Sequence, residues 1–510
     1  MKAKWIRALD WLGWSFVVIA VLLFSSGTVL AETKKMKSSV AKLGAKVVKY
    51  DAIVVGAGYS GLISGAILAK NGLKVLVVEK ADQIGGRLGA VYYNGYWLEW
   101  GPRDASDFED NFVIITEKGQ YGLKAAKEAG ADVAWVGPID PLVLMHNVSD
   151  GKVVRMDADA EGGKKFFTEV LKLTPEQTTK VTGILNRLAA EDPEKWIDVP
   201  MKEWLATVKD RDEAFDKAIY WLAIVHLALP LEETSTGRWI QMFRNPQRLY
   251  RINDSKVGGL QGLAEAYARV IRKHGGEIKT GLETVEITTQ DKKITGVVAR
   301  DKINIVQEFQ APVVVYSEPF WDILSVINES LFPADMVKNA RKLETGYVGD
   351  FWCKNIGISR LPTIRATGKT DQYIGYNQVL FDKTIGWSIP SLSSKKAAPK
   401  GKHLLCLNGT TKVHGNFASS KADAVALMDY MRRYYSDLDE IIEWENYQWP
   451  KVWGTGNTWL PMRRSPIEAP GVEGLYFVGN TVEVDGTFAD IGANSAMQAS
   501  KLILQKQIEK

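Results

Sequence analysis

Gly56, Gly58 and Gly61 fall in the spacing G-x-G-x-x-G, and an acid, Glu79, follows them in "YSGLISGAILAKNGLKVLVVEK". Residues of these types can hold a dinucleotide. Gly56 permits a tight turn, Gly58 lets the backbone approach a pyrophosphate, and Gly61 lets a helix pack closely on a strand. The N–H groups that open the helix face the phosphate charge. Glu79 can accept hydrogen bonds from a ribose hydroxyl, and its charge disfavours a 2′-phosphate. A second glycine pair, Gly85-Gly86, stands next to Arg87. It suits a second approach to the pyrophosphate, with Arg87 as counter-charge.

These residues need elements to position them. Ala52 to Val55 and Val75 to Val78 are apolar runs that read as buried parallel strands. Between them, Leu62, Ile63, Ala66, Ile67 and Ala69 give a buried helix, stopped by Asn71-Gly72. The result is a βαβ unit of about 30 residues, the context in which the glycine spacing becomes specific. Further on, Leu260, Leu263, Ala264, Tyr267, Val270 and Ile271 make one helical face. Gly275-Gly276 stops that helix and a strand follows. "KITGVVARD" and "APVVVYSEP" read as part of a β-meander and a strand returning to the main sheet. Leu475 to Val478 is another strand, ended by Gly479. Gly492-Ala493 can open a last helix, whose small residues Ala493, Ser495, Ala496 and Ala499 allow close approach.

Gly-Gly-Arg after the ribose acid resembles the FAD-binding amine oxidase and phytoene desaturase superfamily. "LEWGP", from Leu98 to Pro102, resembles the Asp-x-Gly-Pro segment of the desaturase branch, with Glu99 in the acid's place. The resemblance implies an α/β fold: a Rossmann-type FAD-binding domain assembled from discontinuous segments, with a second α+β substrate domain. It places a backbone contact to the adenine at Thr284. It makes Gly479, Asn480 and Gly492 part of the last FAD motif, with Asn480 where the family usually has an acid. A helix N-terminus there can stabilise negative charge at the flavin N1–C2 oxygen edge. The expected division is 50–110, 251–319 and 446–510 for FAD, and 111–250 and 320–445 for substrate.

Composition agrees with two domains. The chain has 510 residues, 46% of them hydrophobic, and a formal charge of +4. That charge, with no basic tract interleaved with aromatics, gives no case for nucleic acid. Cys353 and Cys406 have no metal-ligand spacing and read as two buried free thiols. No metal site is expected. The cysteine linkage that some amine oxidases make to flavin has no matching motif, so the expected FAD is non-covalent. The histidines are scattered without a Ser-His-Asp pattern, and no catalytic acid or base is assigned. Of 17 tryptophans, Trp444, Trp449, Trp453 and Trp459 cluster ahead of the last FAD motif. By family position Trp453 and Trp459 are candidates to line a substrate pocket, with core packing as the alternative.

The N-terminus has Lys2, Lys4 and Arg7 before an apolar run from Phe16 to Phe24, and Val29-x-Ala31 suits signal-peptidase cleavage. Residues 1–31 are read as a signal peptide that exports the chain to a periplasm or secretory lumen. The alternative is a membrane anchor with a cytoplasmic catalytic domain. Residues 32–49 read as a basic tether. The resemblance favours an FAD-dependent oxidoreductase of desaturase or saturase type. It would act by hydride transfer at flavin N5 on an apolar or aromatic small molecule, with oxygen, a quinone or another carrier as electron acceptor. The alternatives are a flavin amine oxidase using oxygen, and a non-catalytic binding protein of the escort type.

Overall fold

The structure is a computed structural model that describes residues 48–99, 112–116, 120–139, 143–157, 160–227, 234–244, 247–253, 260–345, 350–381, 384–392, 396–411, 417–448, 459–486 and 489–509. The reading of the N-terminal segment as signal or anchor lies outside these residues. Among the described residues, no helix is long and apolar enough to cross a membrane.

The fold is α/β. Strands β1 (Ala52–Val55), β2 (Val75–Val78), β3 (Glu277–Lys279), β4 (Val314–Tyr316) and β5 (Leu475–Phe477) form one sheet in the order β3-β2-β1-β4-β5. Every neighbouring pair is parallel. Strands β1, β2, β4 and β5 are buried along their whole length. Their unbroken apolar sequences follow from having both faces covered.

On one face lie α1 (Tyr59–Lys70), α2 (Gln261–Lys273) and α3 (Ala489–Ile508), with the short helix Tyr121–Ala129 beside them. Helix α1 is buried from Ser60 to Ala69, so small and apolar residues surround it on every side. The expected α2 face is buried at Leu263, Ala264, Tyr267, Val270 and Ile271, and Gly275 beyond its end has φ +80. The other face is covered by an antiparallel meander, Leu282–Gln290, Lys293–Asp301 and Val306–Gln310. Phe320, Ile323, Phe332, Ala340 and Leu343 pack there too. The cofactor-sheet core thus reaches past the expected boundary at 319. The helix Tyr121–Ala129, expected with the substrate segments, also packs on it.

A seven-stranded sheet lies apart from this core. Its order is Ile442–Gln448, Asp350–Ile358, His403–Thr411, Thr384–Ser388, Tyr376–Leu380, Val143–Asn147, Val153–Met156. Helix Phe417–Tyr434 covers one face, setting Leu427, Met428 and Met431 against Trp352, Ile356, Leu405 and Leu407. Met145 and Leu380 join the sheet to a helical cluster built on Pro175–Ala190, Glu213–Leu227 and Thr236–Arg244. The Pro175 helix starts with a capping box: Thr174 Oγ1 accepts the Gln177 N–H, and the Thr174 N–H donates to Gln177 Oε1. Cys353 and Cys406 are buried free thiols, as expected.

Candidate flavin site

Strand β1 ends at Gly56, whose φ of +94 turns the chain sharply into α1. A Cβ on Gly61 would stand 2.1 Å from the Gly56 carbonyl oxygen, so only glycine fits that first turn of helix. Gly58 differs. A Cβ there would meet nothing within 4 Å. The space beside Gly58 is open, which is what a bound pyrophosphate needs. Helix α1 starts with Gly58 as its cap, without a side-chain cap and without an acid in its first turn. Its leading N–H groups are therefore available to an anion.

Glu79 ends β2 and is 5% exposed. Its Oε2 accepts the Ala57 N–H at 2.7 Å and its Oε1 accepts the Ala81 N–H at 2.8 Å. Burial pushes this carboxyl up from its ordinary range, against the two N–H donors that favour its charge. The acid thus fixes the first turn and retains lone pairs for a ribose hydroxyl.

The second glycine pair docks on the first loop. Gly85 donates its N–H to the Ala57 carbonyl at 2.8 Å, and a Cβ on Gly86 would lie 3.2 Å from Gly58 Cα. Arg87 sits half-buried in the turn Gly86–Leu88, beside the cradle. Thr284 stands in the strand Leu282–Gln290, where the ladder skips Val285 in a bulge. That strand is tied to the site by the Leu282 N–H, which donates to the Glu79 carbonyl at 2.9 Å.

At the far end, β5 leads into Gly479, whose φ is +127 and whose Cβ position is open. Asn480 follows, half-buried. Helix α3 begins at Ala489, ahead of Gly492, so Gly492 does not open it. Its role is contact: a Cβ there would lie 2.6 Å from Ser60 Oγ. The first turn of α3 is thereby held against the first turn of α1. Asp490, in that turn, is 1% exposed and accepts the Gly122 N–H at 2.8 Å.

Two residues with positioning roles, Glu318 and Ser317, escape the sequence reading, and a third, Ser495, is read there only as a small residue allowing close approach. Ser495 Oγ accepts the Gly479 N–H at 2.9 Å and so holds the β5 turn. Glu318, just past β4, pairs with Lys80 at 2.7 Å, and its Oε1 would lie 2.9 Å from a Cβ on Gly56. Ser317 packs against Gly61, 3.1 Å from its Cβ position. "YSEP" after an apolar strand was the signal in the sequence for Ser317 and Glu318. Trp459 is 5% exposed in the helical cluster, its ring 6.4 Å from that of Trp239. Its role in the structure is core packing. Trp453 lies outside the described residues.

The open cradle at Gly58, the uncapped helix start and the buried acid fit FAD. Gly56, Gly58, Gly86 and Arg87 would hold its pyrophosphate, with Gly61 packing the helix start behind them, Glu79 would hold its ribose, Thr284 its adenine, and Asn480 its ribityl end. Among the described residues, no group of His, Cys, Asp and Glu could hold a metal ion.

The family model described as flavin containing amine oxidoreductase matches residues 59–504. The chain belongs to this family. As a flavin containing amine oxidoreductase it is an FAD-dependent oxidoreductase. It is 21% identical over 91% of its length to prolycopene isomerase 1 of an Oncidium hybrid cultivar, 85% of which is covered. It is 25% identical over 48% of its length to the neurosporene-forming phytoene desaturase of Rhodobacter capsulatus, 49% of which is covered. In fold it matches an oxidoreductase from Methanosarcina mazei with a TM-score of 0.63 at 18% identity, over 88% of this chain and 100% of that one.

Proposed function

We propose that the enzyme binds FAD non-covalently and acts at a carbon–carbon bond of a small molecule with an apolar or aromatic body, in the manner of a desaturase or saturase. When bound, FAD supplies a hydride acceptor or donor at N5. The chain's own part is to hold and orient. The observation that carries the cofactor reading is the open space at Gly58, walled by Gly86 and faced by the uncapped start of α1. The substrate reading draws support from the likeness to prolycopene isomerase and phytoene desaturase.

Anaerobic stopped-flow absorbance tests it. Polyenes or other apolar donors should bleach the bound flavin, or reduced enzyme should be reoxidised by an apolar unsaturated acceptor. Rapid bleaching by primary or polyamines alone would contradict the reading. We further propose that residues 1–31 are a cleaved export signal. N-terminal sequencing of the mature protein should begin at Glu32, and an intact Met1 in a membrane fraction would contradict it.

A further inference from the structure

The meander over the cofactor sheet ends in a tip that carries two exposed isoleucines. The tip is the turn between the strands Lys293–Asp301 and Val306–Gln310. Ile303 is 76% exposed and Ile305 54%. Tight turns ordinarily use Gly, Asn, Asp or Ser, which put no large apolar side chain into water. This turn is built to hold its form. Asp301 Oδ1 accepts the Ile303 N–H at 3.0 Å and the Ile305 N–H at 2.8 Å. The Asp301 N–H donates to the Ile305 carbonyl at 3.1 Å, and the Asn304 N–H to the Asp301 carbonyl at 3.0 Å. Asn304 supplies the left-handed residue of the turn, with φ +65. The backbone is satisfied from inside, and both isoleucines are left outside.

The chain enters the fold at the same end of the meander. The strand Val48–Lys49 pairs in parallel with Val306–Gln310, with Val48 opposite Phe309. Its start therefore faces the Ile305 end of that strand, about 13 Å away at about 3.3 Å per residue. Ahead of Val48 the sequence has Lys34, Lys35, Lys37, Lys42 and Lys46 against one acid, Glu32. The acids flanking the tip are engaged: Asp82 pairs with Lys302, and Glu283 with Arg300 at 2.7 Å. A strongly basic segment thus joins the fold on the side of an apolar point.

A small apolar insertion and a polybasic segment are the two signals that together hold a peripheral protein on anionic lipid. We propose that the Ile303–Ile305 tip and the lysines ahead of Val48 dock the protein on an anionic bilayer surface. The isoleucines enter the boundary between headgroups and acyl chains, and the lysines meet the lipid phosphates. All five lysines follow Ala31, so the surface survives removal of residues 1–31. The tip is also tied to the cofactor cradle. The Gly281 N–H donates to the Ala81 carbonyl at 2.8 Å, two residues past Glu79, and the Lys302–Asp82 pair spans the same turn. Docking by this tip sets the ribose end of the cradle near the membrane.

The test places an environment-sensitive nitrobenzoxadiazole label on the tip of the full chain through Ile303→Cys. Cys353 and Cys406 are 2% and 0% exposed, so the new thiol takes the label. Val425→Cys, at a position 59% exposed on the helix Phe417–Tyr434, is the control. With vesicles of phosphatidylcholine and phosphatidylglycerol, the label at 303 should shift to the blue and be quenched by nitroxide on the acyl chains. The label at 425 should keep its emission in buffer. High salt should weaken the response. Adding Ile305→Asp should raise the lipid concentration needed about tenfold, and this exposed position leaves the fold intact. Absence of quenching at 303, equal quenching at 425, or an equal response to phosphatidylcholine alone would overturn the proposal. So would a blue shift that grows with protein concentration without vesicles, which would make a second copy of the chain the occupant.

Discussion

A Cβ on Gly61 would lie 2.1 Å from the carbonyl oxygen of Gly56, while a Cβ on Gly58 between them would touch nothing within 4 Å. Two glycines of one motif therefore do different work. Gly61 is needed by the fold and Gly58 by the ligand. Gly58→Val should fold, with an apoprotein melting temperature close to that of wild type, and retain almost no flavin. Gly61→Ala should lower the melting temperature of the apoprotein itself, by the equivalent of about 2 kcal/mol, as overpacked sites do. Thermal melts with flavin absorbance separate the two. The reverse pattern would remove the physical reading of the motif.

The Gly492–Ser60 contact predicts coupling between two distant stretches of chain. Gly492→Ala should cost about 1–3 kcal/mol, because its methyl would meet Ser60 Oγ. With Ser60→Ala in the background the cost should shrink, since the Ser60 Cβ stands further off, at 3.9 Å. A double-mutant cycle by urea unfolding measures this. Additive effects would mean that the helices relax apart at no cost.

Arg238 clamps the helical cluster to the cofactor core. Its two Nη atoms donate to Glu483 at 2.7 and 2.6 Å, and its side chain is 2% exposed. Burial alone would push the Glu483 carboxyl up, but the Arg238 hydrogen bonds and charge, with Arg464 beside it, hold it at about 2. A depressed carboxyl stabilises the fold above its ordinary value of 4.5, and that contribution is lost as pH falls towards 2. Arg238→Met should cost about 3 kcal/mol at neutral pH, by taking from Glu483 its bidentate buried partner. Denaturant unfolding at neutral pH checks the loss, and a change below about 1 kcal/mol would be too small for a buried pair.

His146 acts in the same direction in a higher pH window. It is 0% exposed, with Nε2 to Asn377 Oδ1 at 2.9 Å and Nδ1 to the Tyr430 hydroxyl at 3.0 Å. Nε2–H donates to the amide oxygen and Nδ1 accepts from the phenol, so the neutral ring is fully satisfied. Burial pulls its pKa down to about 4 from 6.5. Between those values the unfolded chain takes up a proton that the folded one refuses, and stability falls as pH drops. The loss across the window is about 3 kcal/mol. Urea midpoints measured at several pH values should show it, and His146→Gln should flatten the slope. An unchanged slope in the variant would place the titration elsewhere.

What the sequence revealed was local. The G-x-G-x-x-G turn, Glu79, the Gly85-Gly86 pair and the α2 face are set by neighbours in the chain, and their patterns survive into the structure. What it hid depends on partners far along the chain. Gly492 looked like a helix start, because a small residue reads the same whether it opens a helix or lets another helix approach. Trp459 could be read as pocket wall or as core, because nothing local reveals that Trp239 packs near it. In the strand "DFWCKNIGI", Lys354 and Asn355 stand side by side on opposite faces, so no alternation marks the inner side. Nothing local shows that Asn355 is buried.

The central claim is that this dinucleotide fold carries FAD without a covalent bond. The most direct measurement is the absorbance spectrum of the purified protein, followed by acid precipitation. The account predicts flavin bands close to one FAD per chain, with the yellow colour released into the supernatant. A protein without flavin bands would contradict the cofactor assignment, and colour held in the pellet would contradict its non-covalent binding.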